Sequence, residues 1–225
     1  MSEISMDLFM GVPPQEYLKL LQNLSEEEFE QKSKQQGLSK ERMRLPFKIL
    51  KRKVKIDYYL EVDIQRYALK YLFPETYAAL SLGNHIYSTS DFYEYDPPKN
   101  GQNIIKHGIS FHEVISSPNK FGTLMVQCPD NKDGTRCVIF SNMDSGINGE
   151  NLDLPLSGIT GVIYIITVAQ QVDSKYRFIS SRILSQKSYP EIMERSFKNI
   201  YEDDPAKKDG FVKHCIEIIE RDLFN

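Results

Sequence analysis

Residues 160–169 constrain the fold most. The run Thr160-Gly-Val-Ile-Tyr-Ile-Ile-Thr-Val-Ala169 is apolar on both alternating faces, so a strand here must be covered on both sides and paired on both edges. Two β-rich runs precede it, residues 122–128 and 135–141. Between them Pro129-Asp-Asn-Lys-Asp-Gly134 is a strong turn signal, which predicts a hairpin. A further run, residues 175–183, follows directly after Val172-Asp-Ser. The four segments are therefore expected to form one consecutive antiparallel sheet with 160–169 inside it. Arg136 falls on the same face as Val138 and Phe140. In the last strand, alternation puts Arg177 and Arg182 on opposite faces unless a bulge intervenes. Residues 142–158, rich in Asn, Asp, Gly and Ser, read as a long loop that serves as a lid, a partner site or an insertion.

Ahead of the sheet, residues 91–95 read as a short strand leading into a stretch dense in structural signals. Asp96 suits an N-cap, and Pro97 or Pro98 suits a first helical turn, where a missing N–H costs nothing. Gly108 after Lys106-His107 is a stop signal, so a short helix is expected to end at His107. Ser110-Phe-His-Glu113 has capping-box spacing for a second short helix. Lys99, Asn103 and Lys106 stand at i, i+4 and i+7 and are expected to share a polar face suited to an anion.

Asp96-Pro97, Lys99, Asn103, Lys106-His107-Gly108-Ile109-Ser110-Phe111 and Glu113, with Arg177-Phe-Ile-Ser-Ser-Arg182 further on, resemble the BrnT family of toxin ribonucleases from bacterial toxin–antitoxin pairs. The resemblance covers residues 91–190. It implies a RelE-like α+β fold and metal-independent RNA cleavage, in which the RNA's own 2′-hydroxyl attacks the neighbouring phosphorus. It also implies an antitoxin-like protein partner and no cofactor or metal. Under it, His107, Lys106 and Arg182 are the catalytic candidates, while Lys99, Asn103, Arg136 and Arg177 are the substrate-binding candidates. Glu113 is a further candidate base whose plainer role is a helix cap. The chain departs from the family at Gly134-Thr-Arg-Cys137, where an acidic residue usually precedes the arginine and a tyrosine follows it. It departs again after Arg182, where a glutamate and an arginine are usual. A non-catalytic module binding RNA or protein on the same fold is the alternative, and an effector secreted into another cell is a third possibility.

The rest of the chain reads as additions to that core. Tyr17, Leu18, Leu20, Leu21 and Leu24 form an apolar stripe, Ser25 and Glu28 a capping box, and Gly37 a stop, giving two short helices over residues 14–36. Residues 40–55 hold eight Lys/Arg against Glu41 alone. Residues 47–56 alternate partly like an exposed strand, and the charge run reads as either a sheet edge protected by lysines or a phosphate-contacting patch. Ile64, Tyr67, Ala68, Tyr71 and Leu72 follow a helical period that Pro74 breaks. Residues 188–201 and 205–223 read as two terminal helices. The expected organisation is a helical and strand extension over 1–90, an α+β domain over 91–190, and C-terminal helices over 191–225 packed on it.

With 225 residues, 40% of them hydrophobic, the chain can bury a sizeable core. The formal charge of −3 excludes a generally basic nucleic-acid coat, so any RNA contact needs a local patch. Cys128, Cys137 and Cys215 are odd in number and lack CxxC spacing. That pattern fits reduced thiols, although Cys128 and Cys137 are placed to face each other across the hairpin. No membrane-length apolar run and no N-terminal signal pattern is found, so a cytoplasmic protein is expected.

Overall fold

The computed structural model describes residues 15–80, 86–88, 92–116, 122, 124–129, 134–144, 162–184, 187–198, 201 and 203–224. The fold is α+β. Its sheet has six strands in the order β1 (Tyr87–Ser88), β2 (Tyr93–Tyr95), β6 (Lys175–Ile183), β5 (Val162–Val172), β4 (Arg136–Asp144) and β3 (Leu124–Gln127). Among the described residues nine helices accompany it. These are α1 (Gln15–Asn23), α2 (Glu26–Ser33), α3 (Lys40–Leu50), α4 (Tyr58–Leu72), α5 (Pro74–Ala79), α6 (Pro97–His107), α7 (Phe111–Ser116), α8 (Tyr189–Ser196) and α9 (Pro205–Ile218). The chain divides into two compact units. The first holds the described residues up to Ser88 together with 95–110, and the second holds the remainder. The motif helix α6 thus groups with the N-terminal helices, while the strands expected to share its domain belong to the second unit.

In the first unit the helix punctuation is realised in detail. Ser25 Oγ accepts from the Glu28 N–H at 3.2 Å, and Glu28 Oε2 accepts from the Ser25 N–H at 2.8 Å, a complete capping box. Gly37 takes the left-handed conformation with φ 63°. Residues 40–50 correct the strand expectation, because they form α3. Ser39 caps it by accepting from the Arg42 N–H at 3.3 Å. The alternation was misleading for a physical reason. Leu45 and Ile49 pack with Ile64, Tyr67, Ile104 and Ile105, whereas Phe47 and Leu50 pack with Leu21, Phe29 and Leu69. A helix wedged between two apolar clusters needs apolar residues on two sides, and that pattern imitates a strand.

In the second unit β3, β4, β5 and β6 pair antiparallel in chain order, and β5 lies inside the sheet as expected. β4 runs on through Asn142 to Asp144, which shortens the expected loop; residues 145–158 lie outside the described ones. A bulge between Val168 and Ala169 leaves Ile179 without a partner. Ladder partners share a face, so Arg136, Gln170 and Arg177 stand side by side, followed by Val138, Val168 and Ser180, then Phe140, Ile166 and Arg182. The bulge therefore brings Arg177 and Arg182 to one face. Tyr189, Met193, Phe197, Val212, Ile219 and Leu223 cover the apolar middle of that face, around Val126, Val138, Phe140 and Ile166. On the other face Thr167 and Ser181 share a buried hydrogen bond of 2.9 Å, and Phe178 meets Phe111 edge-on at 5.6 Å. The three cysteines are buried free thiols.

Candidate functional site

Most residues of the 96–110 stretch hold α6 against α4. Pro97, Pro98, Asn100, Gly101 and Asn103 are buried. A Cβ at Gly101 would stand 2.2 Å from the Asp63 carbonyl oxygen, so the two helix backbones touch there and only glycine fits. One residue earlier, Asn100 Nδ2 donates to Asp63 Oδ2 at 2.6 Å. Burial pushes the Asp63 carboxyl up to about 7. The Asn100 bond and the Arg66 guanidinium oppose that rise, and Asp96 adds to it. Arg66 is itself buried, and Tyr95, also buried and influenced by Asp63, has its phenol pushed upward.

Asp96 occupies the N-cap position without making a side-chain cap: Pro97 and Pro98 offer no N–H, and the Lys99 N–H is taken by the Asp96 carbonyl at 2.8 Å. Its carboxylate pairs instead with Lys70 Nζ at 3.0 Å. Asn103, expected on the lysine face, is turned inward: its amide donates to the Ile109 carbonyl at 2.8 Å and braces the turn after Gly108, whose φ is 73°.

What remains open to solvent is a cationic cluster. Lys99 and Lys106 lie two turns apart on α6, both half-buried. Burial holds the Lys99 ammonium below its ordinary range. Lys106 and Lys70 push in the same direction, and Asp96 pulls the other way. Gln102 Oε1 accepts from Lys99 Nζ at 3.3 Å, and Lys70 is held at the helix start by its pair with Asp96. His107, half-buried, ends the helix beside Lys106. With two prolines leading the helix and the Lys99 N–H bonded to the Asp96 carbonyl at 2.8 Å, the helix start has little backbone to offer an anion. Any anion here is held by ammonium groups.

The arginine candidates lie in the second unit. Arg177 is committed to Glu94, with contacts of 2.5 and 2.7 Å. Arg136 and Arg182 are exposed, and Arg182 forms no ion pair among the described residues. The two share a face but not a neighbourhood. Arg136 is level with Gln170 and Arg182 with Ile166, four residues and roughly 13 Å further along β5. Glu113 is half-buried on α7, which begins directly after Ser110 as its spacing predicts. His112 and His214 are exposed, and His85 lies outside the described residues.

Sequence reasoning missed Lys70, Arg66 and Asp63. The signal was present: a charged stripe at i, i+3 and i+7 inside an otherwise apolar helix. Among the described residues no group of three or more His, Cys, Asp or Glu side chains is arranged to hold a metal ion. None of the described helices is long and apolar enough to cross a membrane. No family model, no curated protein and no solved structure matches the chain.

Proposed function

We propose that this protein binds single-stranded RNA, with Lys99 and Lys106 receiving backbone phosphate on the open face of α6 and Lys70, held on Asp96, adding only to the local positive charge. The observation that carries the reading is the pair of lysines, two turns apart, on a helix whose opposite side is locked by Gly101 and Asn100. Rigid placement removes part of the entropy cost of ordering long cationic side chains around a phosphate. The net charge of −3 makes such a local cluster necessary for any polyanion contact.

A second reading, metal-independent endonuclease activity in the manner of BrnT-type toxins, is favoured by the placement of His107 directly after Lys106. In that reading the imidazole carries the proton and Lys106 holds the phosphate. Binding takes precedence because the departures around Arg136 and after Arg182 remove family side chains, and Arg177 is spent on Glu94. An antitoxin-like partner and a place in the cytoplasm belong to this same proposal.

One experiment separates the two readings. Purified protein is incubated with end-labelled single-stranded RNA in the presence of a chelator, with binding read by gel shift and products by end-group analysis. Retention without cleavage, unchanged in His107→Ala, is expected. Fragments ending in 2′,3′-cyclic phosphate that disappear in His107→Ala establish the nuclease instead. Absence of both retention and cleavage rejects the proposal.

A further inference from the structure

We propose that the turn closing α3, together with the start of α4, is a second RNA platform, with phosphates on Lys48, Arg52, Lys53 and Lys55 and bases against Tyr58 and Tyr59. It rests on RNA being the ligand, and it adds a surface that the α6 lysines do not include.

The turn is built by two backbone bonds, Arg52 N–H to the Ile49 carbonyl and Lys53 N–H to the Lys48 carbonyl, both 2.8 Å. This is the double bonding that closes a helix through one left-handed residue, a place that glycine fills without penalty. Here Arg52 fills it, with φ 53°. Beside it opens a shallow pocket of about 320 Å³ lined by Gln15, Gln22, Leu50, Lys51 and Arg52.

The cations of this stretch divide into two kinds. Lys51 is structural: its ammonium bonds the Gln22 carbonyl and lies over the Phe47 ring. Lys48, Arg52, Lys53 and Lys55 are exposed and form no ion pair among the described residues, although Lys53 also lies over the Phe47 ring, at 5.8 Å. Arg44, in contrast, is spent on Glu26 and Glu30 at 3.1 and 3.4 Å. The single carboxylate within residues 48–59, Asp57, caps α4 by accepting from the Tyr59 N–H at 2.9 Å. Directly after these cations come the rings of Tyr58 and Tyr59, 55% and 66% exposed and set edge-on at 5.9 Å. Cations followed by exposed rings are the chemistry of single-strand binding, where charge follows the backbone and rings stack on any base. A membrane-surface helix would instead show a continuous apolar face, and α4 buries its Val62, Ile64, Ala68 and Leu69 in the core.

The test uses the full chain and a fluorescein-labelled oligouridylate of about a dozen nucleotides, with anisotropy read over a range of salt. Tyr58→Ala/Tyr59→Ala is expected to weaken binding about tenfold or more with the salt slope unchanged, and Tyr58→Phe/Tyr59→Phe to restore it, since phenylalanine keeps the stacking face. Lys53→Glu/Lys55→Glu is expected to flatten the log–log salt slope by about 1.4, two lost phosphate contacts on a single strand. Wild-type affinity in both the Ala/Ala and the Glu/Glu proteins overturns the inference, and if Lys99→Glu/Lys106→Glu still weakens binding the α6 reading survives it. The reverse pattern keeps this platform and rejects the α6 site. Binding to phosphatidylcholine vesicles containing phosphatidylserine, with none to RNA, overturns both in favour of a lipid surface.

Discussion

A methyl group at position 101 would meet the Asp63 carbonyl oxygen at 2.2 Å, so Gly101→Ala must push α4 and α6 apart. Overpacking at a rigid backbone crossing is expected to cost about 3 kcal/mol, read as a lowered urea midpoint. Gly210, inside α9 with open space around it, is the control. Gly210→Ala is expected to raise stability by about 0.8 kcal/mol, because alanine loses less conformational freedom in a helix. Beside that crossing, Asp63 couples the first unit to pH. Its carboxyl, pushed from 3.8 up to about 7, favours the folded state when neutral. That contribution is complete below about pH 4 and is lost as pH rises through about 7. Wild-type protein should therefore lose on the order of 3 kcal/mol relative to Asp63→Asn between pH 4 and pH 8. Denaturant midpoints of the two proteins across that range measure it, and parallel curves contradict the assignment. Little of this was legible beforehand. Gly101 lay inside a helix with nothing in its own neighbourhood to say that another backbone would touch it, and the stripe of Asp63, Arg66 and Lys70 marks a charged face without marking that Asp63 is desolvated.

Among the elements, the bulge in β6 decides what Arg177 can do. Ile179 is the unpartnered residue, so deleting it leaves Ala169 opposite Phe178 and Val168 opposite Ser180 as before. The deletion is expected to fold, within about 2 kcal/mol of wild type, and to keep the Arg177–Glu94 pair. Deleting Ile139, fully buried in β4 where no bulge can absorb the slip, inverts every side chain on one side of it and is expected to abolish folding. Circular dichroism and urea melts of the two deletions distinguish these outcomes. Elements with a strict period were readable from the chain: the Ser25 capping box, the Gly108 stop, the four consecutive strands and the doubly apolar β5. α3 was not, because a helix between two clusters loses its single apolar stripe. The bulge could be named only as a condition, since one extra residue leaves no mark on an alternating pattern.

Across the molecule, the division into units differs from the order of the chain. α6 packs on α4 through Ile104, Ile105, Asn100 and Gly101, so a fragment lacking residues 1–90 leaves that face uncovered. Such a fragment is expected to aggregate, and a soluble monomer by size-exclusion chromatography would contradict this. The candidate site was legible in part. Lys99 and Lys106 were found from their spacing, whereas Lys70 reaches the helix start only through its tertiary pair with Asp96, and Asn103 was lost to the Ile109 carbonyl. The central claim is that the lysines of α6 hold RNA phosphate, and the salt dependence of oligouridylate binding tests it most directly. Lys99→Glu/Lys106→Glu should weaken binding at least tenfold at low salt and flatten the log–log slope by about 1.4, with the thermal melt unchanged. A wild-type slope and affinity in that variant would contradict it.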